Sequence, residues 1–206
     1  MSLSFLIIIA SLIIATLYSV TSDKRSLFNI LKPFTMLTII ALAVLKNMEQ
    51  QSLYGNLLIA GFVFSIVGDI FLLDKEKNFS KGLLAFLIAH LFFIAAFNLG
   101  VNKYCGGILF PVLLFDFFIL KKLLPKLERY KLPVISYLVV ISVMLYSAIN
   151  SDRQAGELSI ISIGAILFIF SDSVLALNKF NKKIKFAEPL ILFAYFVAQM
   201  LFAFSI

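Results

Sequence analysis

Three ionisable side chains lie inside stretches that are otherwise apolar. Asp69 sits in Ser65-Ile66-Val67-Gly68-Asp69-Ile70-Phe71-Leu72. Asp172 sits in Phe170-Ser171-Asp172-Ser173-Val174, and His90 between Ala89 and Leu91. In a membrane helix such a charge costs about 2.5–3.5 kcal/mol on insertion scales, so each one asks for a reason. Two carboxyls and an imidazole are the parts of general acid–base chemistry. They are equally the parts of proton relays in membrane carriers. As metal ligands they lack company: no His-x-x-x-His pair, Glu-x-x-His motif or cysteine cluster accompanies them, so neither metal nor cofactor is expected. The plainer alternative makes Asp69 and Asp172 interhelical hydrogen-bonding groups and His90, the only histidine, a packing residue.

The elements that carry these residues are long and greasy. Of 206 residues, 62% are hydrophobic and 14% charged, and the mean hydropathy is +1.04. A soluble domain has about 45–50% apolar and about 25% charged residues. The expected fold is all-α, a polytopic membrane bundle of eight transmembrane helices forming one domain. The eight runs are approximately 3–20, 29–45, 55–73, 82–100, 104–120, 132–150, 156–177 and 186–206, each near the about 20 residues that a span needs. Leu3–Val20 lacks a basic leader and is long for a secretion signal, so it reads as the first span. Cys105 is the only cysteine and offers no disulfide.

Charge position supports the count. Lys24, Arg25 and Lys32 lie at the first connection, and Lys75, Lys77 and Lys81 at the third. Lys121, Lys122, Lys126, Arg129 and Lys131 lie at the fifth, and Lys179, Lys182, Lys183 and Lys185 at the seventh. The even connections hold only Lys46, Lys103 and Arg153. This alternation predicts both termini outside and the basic end in the cytoplasm. The net charge of +7 therefore reflects topology and attraction to anionic lipid rather than nucleic-acid binding.

Counted back from the basic connections, Asp69, Asp116 and Asp172 fall in one layer about 8–10 Å from the cytoplasmic charges, with His90 somewhat deeper. Asp116 reads as structural or as reaching toward the near interface. Asp69 shares a helix face with Gly61, Ser65, Gly68 and Leu72. His90 shares one with Phe86, Phe93 and Phe97, and Asp172 one with Ala165, Phe168 and Leu175. These faces are expected to turn inward. Gly68-Asp69-x-x-Leu72 and Ser171-Asp172-x-x-Leu175 are 103 residues apart, a spacing that suggests a weak 4+4 internal repeat.

The ordered set resembles the YhhN family, whose eukaryotic members include lysoplasmalogenases. The resemblance is carried by Lys32-Pro33, Gly61, Ser65, Gly68-Asp69, Phe79, Gly82, Phe86 and His90. It continues through Tyr137, Met144, Ala148, Phe170-Ser171-Asp172-Ser173, Tyr195 and Gln199. The departure is Phe93, near where the family tends to carry Tyr. The resemblance implies an eight-helix hydrolase that cleaves the vinyl ether of lysoplasmalogens to a fatty aldehyde and a glycerophospho-ethanolamine or -choline. Vinyl ethers hydrolyse by protonation at the β-carbon, which generates an oxocarbenium ion that water captures. That step needs one protonated carboxyl and profits from one ionised carboxylate, the division of labour of glycosidases.

Asp69 and Asp172 are the candidate pair, with the acid unassigned between them, and His90 orients water or a carboxyl. Lys32, Ser65, Phe86, Ser171, Tyr195 and Gln199 are the expected substrate-binding residues. The expected partners are a lysophospholipid substrate and membrane lipids, in the cytoplasmic membrane for a bacterial chain; no oligomeric state follows. A proton-coupled carrier of small molecules or lipids is the rival reading. It is weakened because only Pro111 among the five prolines falls well inside a predicted span. A non-enzymatic scaffold is the third, and leaves the buried polar groups unexplained. Asp69→Asn is expected to relieve an insertion cost and leave the fold intact or firmer.

Overall fold

Long apolar runs separated by short polar connections fold as antiparallel helices, because lipid offers backbone groups no partners outside the helix. A computed structural model describes residues 2–101, 104–155 and 159–206. Among these residues there are eight α-helices and no strand: α1 (Ser2–Thr21), α2 (Arg25–Gln50), α3 (Leu53–Phe71), α4 (Phe79–Phe97), α5 (Leu109–Leu123), α6 (Lys131–Ala155), α7 (Ile160–Phe180) and α8 (Ala187–Phe204). All but α5 are long and apolar enough to cross a membrane.

The 15 residues of α5 rise only about 22 Å. They are continuous with 3-10 turns at Gly106–Ile108 and Leu124–Lys126, which add about 2 Å per residue. Their ends meet the ends of the neighbouring helices. The Cys105 N–H donates to Asn150 Oδ1 (2.7 Å) near the end of α6, and Lys126 Nζ donates to the Asn181 carbonyl (3.4 Å) just past α7. The stretch therefore traverses the bundle from one end to the other.

The basic connections converge at one end. Arg25, Lys75 and Glu188 form an ion cluster there, and Arg25 also donates to the Leu73 carbonyl at 2.6 Å. At the opposite end Lys46 Nζ donates to the Phe204 carbonyl (2.6 Å), and Tyr54 hydrogen-bonds Ser205 (2.7 Å). The Lys46 contact satisfies an orphan carbonyl at the C-terminus of α8 with a cation, where the dipole favours one. The start of α1 and the end of α8 thus share the end away from the odd-numbered connections. Lys103 and residues 156–158 lie outside the described residues, as does the side chain of Arg153.

The second helix departs most from the expected span. It begins at Arg25 and runs to Gln50, capped by Gln51 in the left-handed region with its N–H on the Asn47 carbonyl. Two readings change with it. Pro33, not Pro111, is the proline in a helix interior; Pro111 falls in the first turn of α5, where a missing N–H costs nothing. And Lys32 is not a connection charge: it lies two turns into α2 and is buried. A charge ends an apolar run in sequence, but it need not end a helix when a counter-charge waits on the next one.

Candidate active site

Small residues let α3 and α4 approach closely, and this sets the depth of Asp69. A Cβ at Gly61 would lie 2.3 Å from Phe93 Cε1, and one at Gly68 2.6 Å from the Phe86 ring. Gly61, Ser65, Gly68, Asp69 and Leu72 are all buried, as their shared face predicts. Asp69, 1% exposed, is fully partnered. Lys32 Nζ from α2 lies 3.0 Å from its Oδ1, and the Tyr195 hydroxyl from α8 donates to Oδ2 at 2.7 Å. Three helices thus close on one carboxylate.

Asp172 on α7 is held differently. The Tyr137 hydroxyl from α6 donates to its Oδ2. Among the described residues Asp172 has no ion pair. Its neighbour Ser171 ties α7 to α8 by donating to the Ile191 carbonyl at 3.0 Å.

Both carboxyls line one cavity, together with Lys32, Phe86, Ser171 and Tyr195. Lys75 and Glu188 form its rim, bonded to each other at 2.9 Å. Burial pushes the Lys75 ammonium below its usual range; Glu188 opposes the shift, and Lys32 and Arg25 add to it. The cavity volume is about 30 Å³, room for one or two water molecules rather than a lipid, so a large ligand must part the helices. Two apolar clefts also end on Asp172. One, between α4, α6 and α7, is lined by Phe79, Leu83, Val134 and Phe180; the other, against α5, by Ile119, Leu123 and Ile141. Asp172 is where a polar cavity and two greasy clefts meet.

A match to the YhhN family runs over residues 27–206. The chain belongs to the YhhN family. It is 35% identical over 164 residues to lysoplasmalogenase TMEM86A of Homo sapiens, covering 70% of this chain and 62% of that protein. With lysoplasmalogenase TMEM86B of Rattus norvegicus it shares 35% identity over 153 residues, covering 74% of this chain and 62% of the other. Against TMEM86B of Homo sapiens the identity is 33% over 159 residues, covering 77% of this chain and 66% of that protein. The chain therefore spans about three fifths of the length of these relatives. No solved structure matches it.

In this YhhN chain, six of the nine residues singled out from sequence line the cavity: Asp69, Asp172, Lys32, Phe86, Ser171 and Tyr195. The other three are buried but do not line it. Ser65 lies one turn before Asp69, Gln199 one turn after Tyr195, and His90 one turn after Phe86, all on the side away from the rim. His90 Nδ1 is 2.5 Å from the Phe86 carbonyl oxygen, which can only accept, so Nδ1 carries the proton. The ring sits edge-on to Tyr137 (5.3 Å) and Phe168 (4.7 Å). Among the described residues His90 makes no hydrogen bond to Asp172; it packs on Tyr137, which bonds that carboxyl, and on Phe168, one turn before it on α7. Phe93 packs in the Phe62, Phe97 and Phe202 core.

Asp116 accepts from Ser142 Oγ at 2.8 Å. Ser142 follows Tyr137 by five residues, so Asp116 sits about one turn deeper than Asp172 and off the cavity, not in a common layer. Tyr137, Lys75 and Glu188 border the two carboxyls and are not among the expected site residues, although Tyr137 is one of those that carry the family resemblance. For Tyr137 a signal existed: it lies six residues beyond Lys131, the depth band already assigned to the carboxyls. The expected benefit of Asp69→Asn is also reversed, because Lys32 would be left as an unpaired buried ammonium.

Proposed function

We propose that this chain is a membrane hydrolase that cleaves the vinyl ether of lysoplasmalogens, giving a fatty aldehyde and a glycerophospho-alcohol. The observation that carries this reading is one cavity with two carboxyls in unequal company. Asp69 has an ammonium counter-ion and a hydroxyl; Asp172 has a hydroxyl alone. Asp172 is accordingly the acid. With Oδ2 occupied by Tyr137, Oδ1 delivers the proton to the β-carbon and the ether-bearing carbon becomes an oxocarbenium ion. The Asp69 carboxylate stabilises that cation and aligns water. Water adds to the cationic carbon and gives a proton back to Asp172. The hemiacetal then breaks its bond to the glycerol oxygen; the hemiacetal's hydroxyl proton ends on that oxygen, which leaves as the alcohol, and the aldehyde is released. One water is consumed and the carboxyls are restored. The names of the relatives support the substrate, and the apolar clefts at Asp172 suit an alkenyl chain.

The orientation belongs to the same reading: the basic end faces the cytoplasm, both termini face away, and the substrate comes from the cytoplasmic leaflet, in the cytoplasmic membrane for a bacterial chain. The chain is taken as one domain. A pairing of Lys32 on the second helix with Asp69 on the third, and of Tyr137 on the sixth with Asp172 on the seventh, supports a 4+4 repeat. The test is to incubate the purified protein with a vinyl-ether lysolipid and measure fatty aldehyde. Absence of aldehyde, with solute uptake that needs Asp69 and Asp172, would instead establish the carrier.

A further inference from the structure

Lysines at the ends of membrane helices are commonly solvated anchors, and Lys77 is one: its side chain is 83% exposed and lies 4.0 Å from Asp74. Lys75, two residues earlier, is different. The 3-10 turn Leu72–Asp74 ends α3, and Lys75 lies back over the cavity with its side chain 29% exposed. Its partner Glu188 is the second residue of α8, and Arg25 approaches the same carboxylate at 3.9 Å. Arg25 and Lys75 thus share the one carboxylate of Glu188 at the rim, while Lys32 is taken up by Asp69 deeper in the cavity. Two cations turned on one carboxylate can take a second anion between them.

The spacing identifies that anion. Lys75 lies six residues beyond Asp69, and Glu188 seven before Tyr195, which bonds Asp69. The first interval, part α-helix and part 3-10 turn, and the second each rise about 9–11 Å. In a lysoplasmalogen, six bonds of about 1.3–1.6 Å separate the ether-bearing carbon, which Asp69 faces, from phosphorus, about 7–8 Å in a zigzag and within reach of a lysine that folds back over the cavity. Resting on the reading that the carboxyls act on the vinyl ether, we propose that Lys75 and Arg25 bind the phosphate of the lysolipid and Glu188 its ammonium. The Lys75–Glu188 pair is the complement of a phosphoethanolamine zwitterion. Inserting that headgroup between them exchanges one ion pair for two and strands no charge. A primary ammonium donates hydrogen bonds to a carboxylate. Choline cannot, and is held best by an aromatic cage; the aromatic residues of the cavity, Phe86 and Tyr195, lie deeper than the rim. The subsite therefore prefers phosphoethanolamine to phosphocholine.

The probes are uncleavable saturated 1-alkyl ethers bearing phosphoethanolamine, phosphocholine or no headgroup (1-alkylglycerol), titrated into the full chain in detergent micelles. The wild type should bind them in that order. Lys75→Met should weaken both phosphate-bearing probes by about 10- to 100-fold relative to 1-alkylglycerol. Lys75→Arg should keep most of the phosphate preference, and Glu188→Gln should erase the preference for phosphoethanolamine over phosphocholine. Arg25→Gln, at an exposed side chain, repeats the phosphate test should Lys75→Met fail to fold. Unchanged ratios among the three probes in folded variants overturn the subsite. So does equal competition by a diacyl phosphatidylglycerol, which would assign the cations to bulk anionic lipid. Because the probes are not cleaved, these ratios stand or fall apart from aldehyde release, whose failure would sink the hydrolase reading instead.

Discussion

The two carboxyl sites of this bundle differ in what surrounds them. Asp69 is closed in by three helices, an ammonium and a tyrosine hydroxyl, with 1% of its surface exposed. Asp172 is half-buried at the junction of a polar cavity and two apolar clefts, and holds one tyrosine hydroxyl. A carboxylate beside a buried ammonium is neutralised as a pair and fixed in place. One that faces a cavity with no counter-ion is free to exchange a proton with a ligand. In the proposed reaction, two aspartates in nearly matching sequence contexts take different work from their neighbours, as in other sites where paired carboxyls divide acid and base roles.

The largest way to break this comparison is to remove Asp172, the proposed acid. Asp172→Asn should lower aldehyde release by about 10²–10⁴-fold with little loss of fold, read by turnover and by thermal unfolding in micelles. Asp69→Asn should lower turnover comparably, and should also destabilise the protein by about 3–5 kcal/mol because Lys32 loses its counter-charge. Adding Lys32→Met to Asp69→Asn should recover most of that stability and none of the activity; two variants of equal stability would show the ion pair to be idle. The double variant Asp69→Asn/Asp172→Asn should lose far less than the product of the single losses, since the pair acts as a unit.

Smaller effects sharpen the contrast. Tyr137→Phe removes the one hydrogen bond that Asp172 makes among the described residues, and kcat should fall by about 3- to 10-fold with KM little changed. Tyr195→Phe leaves Asp69 its ammonium and should cost less in turnover. Asp116→Asn, bonded to Ser142 away from the cavity, should keep turnover within about twofold and stability within about 1 kcal/mol. A large loss there would extend the site to α5.

The helices were legible because lipid demands long apolar runs, and because lysines mark every second connection. The inward faces of α3 and α4 followed from helical spacing alone: Gly61, Ser65, Gly68 and Asp69, and Phe86, His90, Phe93 and Phe97, are all buried. What stayed hidden were features made by partners distant in sequence. Lys32 read as the edge of a loop because its counter-charge is 37 residues away. Helix α2 outruns its apolar stretch at the other end for the same reason, since Lys46 is satisfied by a carbonyl 158 residues on. Tyr137 is one of seven tyrosines, and periodicity does not say which hydroxyl will find a carboxylate. His90 stood out as the lone histidine, but its uniqueness in the sequence did not bring it to the cavity.

Gly61 and Phe93 meet so closely that position 61 cannot grow while the ring at 93 stays where it is. A methyl group at 61 would enter the space of the Phe93 ring, and a ring this deep among Phe62, Phe97 and Phe202 has nowhere to retreat. A chain that drifts to a larger side chain at 61 must therefore shrink at 93 in the same step or soon after, and the same holds for 68 with 86. Across the descendants of such a chain, these two pairs should change together or stay still, and Asp69, one residue past the second glycine, inherits its position from that bargain.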